Sequence, residues 1–308
     1  MDKEKFQEFC EKLKIVWREE EIFLKRKLSP LVVLKIVLTS DLSFLKKIIY
    51  LIPSKIFVFK ERENLILKYR VKEFNKTLDY IFKNNEFREN PFFKIIEERG
   101  SEFSSNMFNF SMIILNDQYC VNQFIKEGDV VFDIGANIGF FSLLAAFKGA
   151  RVFSFEPVFE TYKRLLKNIK YFNAEKDVFA YPSALGDFKR ESLIKFNINS
   201  SDRSTIIDSS FQQMGNFILE KINIITMDDF IKENKIKKID FIKIDTEGYE
   251  LKILKGAKNT IQKFKPKIAI SAYHKKEDKK EIPHFLLRMR PDYQYKLINR
   301  GEEVFLFF

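Results

Sequence analysis

Cysteine, histidine and tryptophan are scarce in this chain. Its 308 residues hold two Cys, two His and one Trp. Cys10 and Cys120 share no motif, so neither a disulfide framework nor a cysteine-based zinc site follows, and a cytoplasmic, reducing setting fits. Long apolar runs are lacking too. Met1-Asp2-Lys3-Glu4-Lys5 opens on alternating charge with no signal core. The most apolar early stretch, Ile48 to Phe59, contains Pro53 and Lys55 and falls short of the ~20 apolar residues of a spanning helix. Peripheral membrane contact by residues 46–52 stays open beside the simpler reading as a core helix or packing surface. Phosphate-cradling glycine signatures are missing. No Gly-Lys-Ser/Thr closes a P-loop, and no G-x-G-x-x-G opens a dinucleotide site.

What is present describes a globular chain, 45% hydrophobic and 31% charged. The net charge is +11, yet its lysines are scattered through every segment. A coding bias explains this scatter better than a polyanionic partner does. No nucleic-acid motif accompanies the charge, and nucleic acid is not expected as a partner. An anionic acceptor stays open.

Two regions are visible. Residues 1–110 read as a helical N-terminal extension, with Phe6, Phe9, Leu13 and Val16 at helical spacing. Ser29-Pro30, Pro53 and Pro91 mark boundaries there; Asn90-Pro91-Phe92-Phe93 reads as a helix start. This region carries no recognisable chemistry. Oligomer contacts, with a homo-oligomer through its helices, or acceptor contacts are the expected roles.

Residues 111–308 alternate strands and helices. Strands are expected at Val130 to Phe132, Arg151 to Phe155, Val178 to Tyr181, Phe241 to Ile244 and Lys267 to Ala272. Helices are expected at Ile138 to Phe147, Val158 to Tyr171 and around Leu251 to Leu254. Tyr295 to Ile298 and Val304 to Phe307 form a terminal hairpin. The expectation is an α/β fold: a doubly wound, mostly parallel seven-stranded sheet with an antiparallel last strand.

Open α/β sheets bind ligands at the carboxyl ends of their strands. Asp133-Ile134-Gly135-Ala136-Asn137-Ile138-Gly139 leaves the first strand with glycines where a ligand can approach the backbone. Asp133 repels a pyrophosphate and suits a cofactor with a positive end, such as S-adenosyl-L-methionine. Glu156, followed by Pro157, ends the second strand 17 residues after Gly139, where a carboxylate can accept both ribose hydroxyls. Ser183 and Ala184 follow the third strand and are small enough to admit adenine. Asp245 and Glu247 leave the fourth strand two residues apart; one suits the methionine amine and the other an acceptor hydroxyl. Helix capping by Asp245 or Thr246 is compatible with either role. His274 follows the fifth strand beside Lys275 and Lys276, which would keep it neutral. It reads either as a general base or as a surface histidine. A Mg²⁺ among Asp245, Glu247 and His274 is a variant of the same site, although no resident metal is expected. His284, near an expected helix start at Pro283, is a weaker base candidate.

Gly128-Asp129-Val130-Val131-Phe132-Asp133-Ile134-Gly135-Ala136-Asn137-Ile138-Gly139, Phe155-Glu156-Pro157, Ala184-Leu185-Gly186 and Lys243-Ile244-Asp245-Thr246-Glu247-Gly248-Tyr249-Glu250 together resemble the FkbM-type methyltransferases, in order and spacing. The resemblance spans about residues 110–308. It implies a class I fold and O-methylation of hydroxyls on sugars, polysaccharides or secondary metabolites. It also implies that the loop from Asp133 to Gly139, with Glu156, holds the cofactor, and that Asp245 and Glu247 face the reaction centre. A nucleotide-activated sugar or surface-polysaccharide unit is the expected acceptor. A nucleic-acid methyltransferase or one acting on a secondary metabolite is the alternative.

Overall fold

The computed structural model describes residues 109, 111–115, 117–197, 200–206, 218–299 and 302–308. The N-terminal extension, its boundary near residue 110 and the roles expected of it lie outside the described residues. The first described elements are a π-helical turn, Ser111–Leu115, and a short helix, α1 (Val121–Phe124).

Seven strands build the main sheet: β1 (Val130–Ile134), β2 (Arg151–Phe155), β3 (Val178–Tyr181), β8 (Phe241–Ile244), β9 (Lys267–Ser271), β10 (Tyr295–Asn299) and β11 (Glu303–Phe307). Their order is β10-β11-β9-β8-β1-β2-β3. β9, β8, β1, β2 and β3 pair in parallel, and β11 lies antiparallel between β9 and β10. The expected seven-stranded, doubly wound sheet with its inserted antiparallel last strand is present. The chain proceeds from β1 outward to β3 and later returns to β8 on the other side of β1. The topological switch point, where such sheets bind ligands, therefore lies between β1 and β8.

The helices of this sheet are α2 (Phe140–Phe147), α3 (Phe159–Tyr171), α4 (Met227–Glu233), α5 (Glu250–Lys255), α6 (Lys258–Phe264) and α7 (Asp278–Met289). α2 is apolar on every side, and its first seven residues are all buried. Pro283 lies inside α7 rather than at its start. The acidic turn from Asp278 to Glu281 favours an earlier beginning, and Asp278 accepts the Lys275 amide N–H at 3.1 Å. His284 is exposed on that helix.

A second sheet was not anticipated. β4 (Ala184–Leu185), β5 (Arg190–Asn197), β6 (Ser200–Ile206) and β7 (Ile218–Ile225) assemble in the order β4-β7-β5-β6. Its apolar side chains Ile194, Phe196, Ile206, Ile222 and Ile224 join the main core. That core contains an aromatic ladder. Phe132, Phe153, Phe155 and Tyr181 sit across β1, β2 and β3, and Phe230 of α4 meets all four edge-on at 4.8 to 6.0 Å. Edge-to-face pairs of this kind add ~0.5–1.5 kcal/mol each beyond burial.

The loops after β1 and β8 touch at one glycine. Gly135 has φ +78°, and a Cβ there would lie 1.9 Å from the Asp245 carbonyl oxygen. Gly135→Ala should therefore lower the unfolding free energy by roughly 2–6 kcal/mol, combining left-handed strain with overpacking. Chemical denaturation checks this; an unchanged midpoint would show that the loops are not packed this tightly.

Candidate active site

A cavity of about 650 Å³ opens at the switch point. The loop after β1 forms its floor through Gly135, Ala136, Asn137 and Ile138. Glu156 and Pro157 border it at the end of β2, and Ser183, Ala184 and Leu185 beyond β3. At the opposite end stand Tyr119, Asp245, Glu247, Tyr273 and Glu302. The second sheet adds Ile194, Ser204 and Ile206 to the wall.

Glu156 is fixed by backbone. Its Oε2 accepts the Asn137 N–H and its Oε1 the Val158 N–H, each at 3.0 Å. Burial pushes its carboxyl up to about 7, although those two amides and the Lys243 charge pull the other way. A carboxylate buried without a strong cation is prepared for further O–H donors. The cavity wall also holds two buried oxygens without a hydrogen-bond partner, Asn137 Oδ1 and Ser204 Oγ. These features fit a ligand with a ribose diol and polar edges.

Asp245 accepts the Tyr119 hydroxyl at 2.6 Å and the Tyr273 hydroxyl at 3.3 Å. Burial raises its proton affinity, but Lys243, His274 and the Tyr119 hydrogen bond outweigh that and hold the carboxyl low. Burial and Asp245 together push the Tyr119 hydroxyl well up, so it stays a donor. Glu247, at φ +55°, is raised mainly by burial.

Residues 133–297 match the Methyltransferase FkbM domain, more than half of the chain. The chain belongs to the FkbM methyltransferase family. Hexuronic acid methyltransferase AglP of Haloferax volcanii is 27% identical over 180 residues, covering 58% of this chain and 70% of that protein. The 31-O-demethyl-FK506 methyltransferase FkbM of Streptomyces tacrolimicus is 27% identical over 160 residues, covering 44% of this chain and 62% of that one. A solved FkbM methyltransferase from Methylobacillus flagellatus aligns at a TM-score of 0.44 and 23% identity, over 71% of this chain and 58% of that chain. The chain thus spans about three-fifths of the length of two of these relatives. The FkbM domain is an S-adenosylmethionine-dependent methyltransferase domain.

Within this methyltransferase domain the sequence-predicted residues separate into two groups. Gly135, Ala136, Asn137, Glu156, Pro157, Ser183, Ala184, Asp245 and Glu247 all border the cavity. Asp133, Gly139 and His274 do not. Strand alternation turns Ile134 to the cavity and Asp133 towards α2, where it is fully buried. Asp133 accepts the Ser142 hydroxyl at 2.5 Å and pairs with Lys243 at 3.1 Å. It is a structural anion rather than a cofactor contact. Gly139 caps α2 at φ +97°, and a Cβ there would meet Leu165 of α3 at 2.6 Å.

His274 departs furthest from expectation. It is buried behind the two acids, neither surface-exposed nor neutral. Nε2 lies 3.6 Å from Asp245 Oδ1 and 3.5 Å from Glu247 Oε1; Nδ1 lies 3.0 Å from Glu250 Oε1. Burial opposes the charged imidazole, but Glu247, Glu250 and Asp245 together push it up to about 11. Lys275 is bonded to the Gly248 carbonyl and Lys276 is exposed, and the acids, not these lysines, dominate the charge of His274. Behind the acids, outside the cavity lining and pushed towards its charged form, the imidazole is not placed to take a proton from an acceptor. It positions the two carboxylates in front of it. Asp245, Glu250 and His274 bring ligand atoms within 4.8 Å of one another, the right scale for a cation. The imidazolium already supplies the positive charge there. The trio differs from the expected one by Glu250 in place of Glu247.

Sequence reading missed Tyr119, Lys243, Tyr273 and Glu302. Lys243 alone stood inside a quoted motif. Its Nζ donates to the Gly135 carbonyl at 2.6 Å while pairing with Asp133, and it lies 5.6 Å from the Tyr119 ring centre.

Two predictions follow from these partners. Lys243→Met strands a buried Asp133 charge and should destabilise the domain by ~3–5 kcal/mol. Adding Asp133→Asn should recover much of that loss in a denaturation midpoint, and a harmless single variant would remove Lys243 from this role. For Glu156, the ionised carboxylate is the form suited to accept the two hydroxyls of a ribose. Affinity for S-adenosylhomocysteine should therefore fall as pH drops through about 7, by ~10-fold per unit below it. Calorimetric titration of wild type and Glu156→Gln decides this. The variant should bind ~10- to 100-fold more weakly and lose that dependence; a flat wild-type profile counts against the assignment.

Proposed function

We propose that this methyltransferase acts on a sugar hydroxyl, carried on a nucleotide-activated sugar or a surface-polysaccharide unit. One observation carries the reading. The end of the cavity away from Glu156 sets five donors and acceptors close together, Tyr119, Asp245, Glu247, Tyr273 and Glu302, with Phe141 packed against Tyr119. A polyol matches such a surface, because each buried polar group then finds a partner. AglP, named for a hexuronic acid, adds a sugar-active relative.

Bound S-adenosylmethionine supplies an activated methyl group on a sulfonium. The residues of the chain then have three tasks. Glu156 binds the ribose hydroxyls, while Ser183 and Ala184 leave room for adenine. Asn137 Oδ1 and Glu247 offer acceptors to the methionine ammonium. Asp245, held low by Lys243 and His274, stays ionised and keeps Tyr119 and Tyr273 oriented as donors. Alignment of donor and acceptor in this way supplies ~7–11 kcal/mol of the barrier reduction.

The same wall bears on the alternatives. Glu247, Asp245 and Glu302 repel a phosphate, so the phosphates of a nucleotide sugar must stay outside this end. That weighs against a nucleic-acid backbone there, despite the net charge of +11.

The test is a panel of nucleotide-linked sugars and polysaccharide fragments with a labelled methyl donor. One acceptor should gain the mass of one methyl group with stoichiometric S-adenosylhomocysteine. A donor-binding protein that labels no carbohydrate would overturn the sugar assignment.

A further inference from the structure

Glu302 lies beyond the matched family segment, which ends at residue 297. It precedes β11, and the hairpin carries it to the cavity. The pairing of Val304 with Ser271, and the hydrogen bond from the Ala272 N–H to the Glu303 carbonyl at 2.9 Å, bring Glu302 abreast of Tyr273. Its carboxyl group borders the cavity, and the Tyr273 hydroxyl and the Gln118 side chain lie close enough to favour its ionised form.

Resting on the hydroxyl-transfer reading above, we propose that Glu302 is the general base, and that the acceptor it serves is an uncharged hydroxyl rather than a carboxylate. Three carboxyl groups face this end. Asp245 is a poor base, because Lys243, His274 and Tyr119 stabilise its ionised form. Burial raises Glu247 as well, but it stands 3.5 Å from the His274 imidazolium, and protonating it would discard that pairing. Glu302 has the opposite surroundings. The nearby Tyr273 and Gln118 that favour its charge are neutral, Asp245 repels that charge, and His274 is the cation that favours it. Burial and Asp245 push its carboxyl up to about 7, which suits a base working near neutrality. Tyr119 adds a further neutral hydroxyl within its field.

The step balances as follows. The acceptor oxygen forms the O–CH₃ bond, the S–CH₃ bond breaks with its electron pair passing to sulfur, and the acceptor proton passes to Glu302. The sulfonium charge is lost, and the proton is released to solvent after product leaves. A carboxylate acceptor would need no base and would be repelled by all three acids. The geometry therefore favours an ether product over an ester.

Two measurements test this. The first needs no acceptor: carbon-13 NMR of protein labelled at the glutamate carboxyl carbons, with Glu302→Gln identifying the resonance. That carboxyl should titrate near 7, and titration below 5 overturns the proposal. The second compares wild type and Glu302→Gln on paired probes, uridine-diphosphoglucose with uridine-diphosphoglucuronic acid and the same pairing across the sugar panel. The hydroxyl-only member should be labelled in an alkali-stable linkage. Glu302→Gln should lose ~10²–10⁴-fold in kcat, with S-adenosylhomocysteine affinity within threefold of wild type. Label in an alkali-labile ester, or undiminished turnover by the variant, overturns the proposal. If no sugar is labelled, the sugar assignment falls and Glu302 is judged on water as the hydroxyl acceptor. Its removal should then slow methanol release from the donor by the same factor, and an equal rate overturns it.

Discussion

A single buried ammonium group organises the site. Lys243 of β8 stands in register with Asp133 of β1, at the point where the sheet reverses direction. Its Nζ pairs with Asp133 and bonds the Gly135 carbonyl, so one side chain joins the core of β1 to the loop that leaves it. It also favours the ionised forms of Asp245 and Glu156. The cavity needs such a charge. Two carboxylates about 4 Å apart repel by ~4 kcal/mol at an effective dielectric of 20, and this cavity is bordered by Glu156, Asp245, Glu247 and Glu302. Lys243 and His274 are the cations that allow these acids to share one space.

The same two cations give the acids different tasks. Asp245 feels both and is held ionised. Glu250 is buried behind it, held low by His274 and by the Thr246 and Gly248 amides. Glu156 and Glu302 lie further from compensating charge, and burial dominates them both. Residues of one chemical type thus become an orienting anion, a structural anion, a hydroxyl acceptor and a proton acceptor through their neighbours alone.

Much of the fold was legible because parallel strands buried on both faces read as continuous apolar runs. Val130 to Phe132 and Ile268 to Ile270 show this clearly, while β1 and β8 each carry one charged residue, Asp133 and Lys243, that pair with each other. The second sheet was less legible. Its strands β5 and β7 mix Lys, Glu and Ser with Ile and Phe, and the period-two burial is confined to Ile194 and Phe196 in one and Ile222 and Ile224 in the other. In the site, the loop after β1, Glu156 and the Asp245–Glu247 pair were legible because strand ends project towards the cavity. Two errors have one physical origin. The side-chain direction of Asp133 and the charge of His274 depend on partners contributed by other strands and loops: Lys243 for the first, and Asp245, Glu247 and Glu250 for the second. Local reading saw Lys275 and Lys276, which are adjacent in sequence and turned elsewhere.

The elements around the cavity also divide by origin. The donor end, from Gly135 to Glu156 and Ser183, lies wholly within the matched family segment. Much of the acceptor end does not. Gln118 and Tyr119 precede that segment, and Glu302 follows it. They converge because the antiparallel β11 inserts beside β9 and returns the chain to the switch point, where Tyr273 and Asp245 meet them. At the other end Gly135 has no room for a Cβ and Glu156 is held by two amides. The two ends of the cavity are thus built by different parts of the chain, one by the loops after β1 and β2 and the other by the hairpin beside β9.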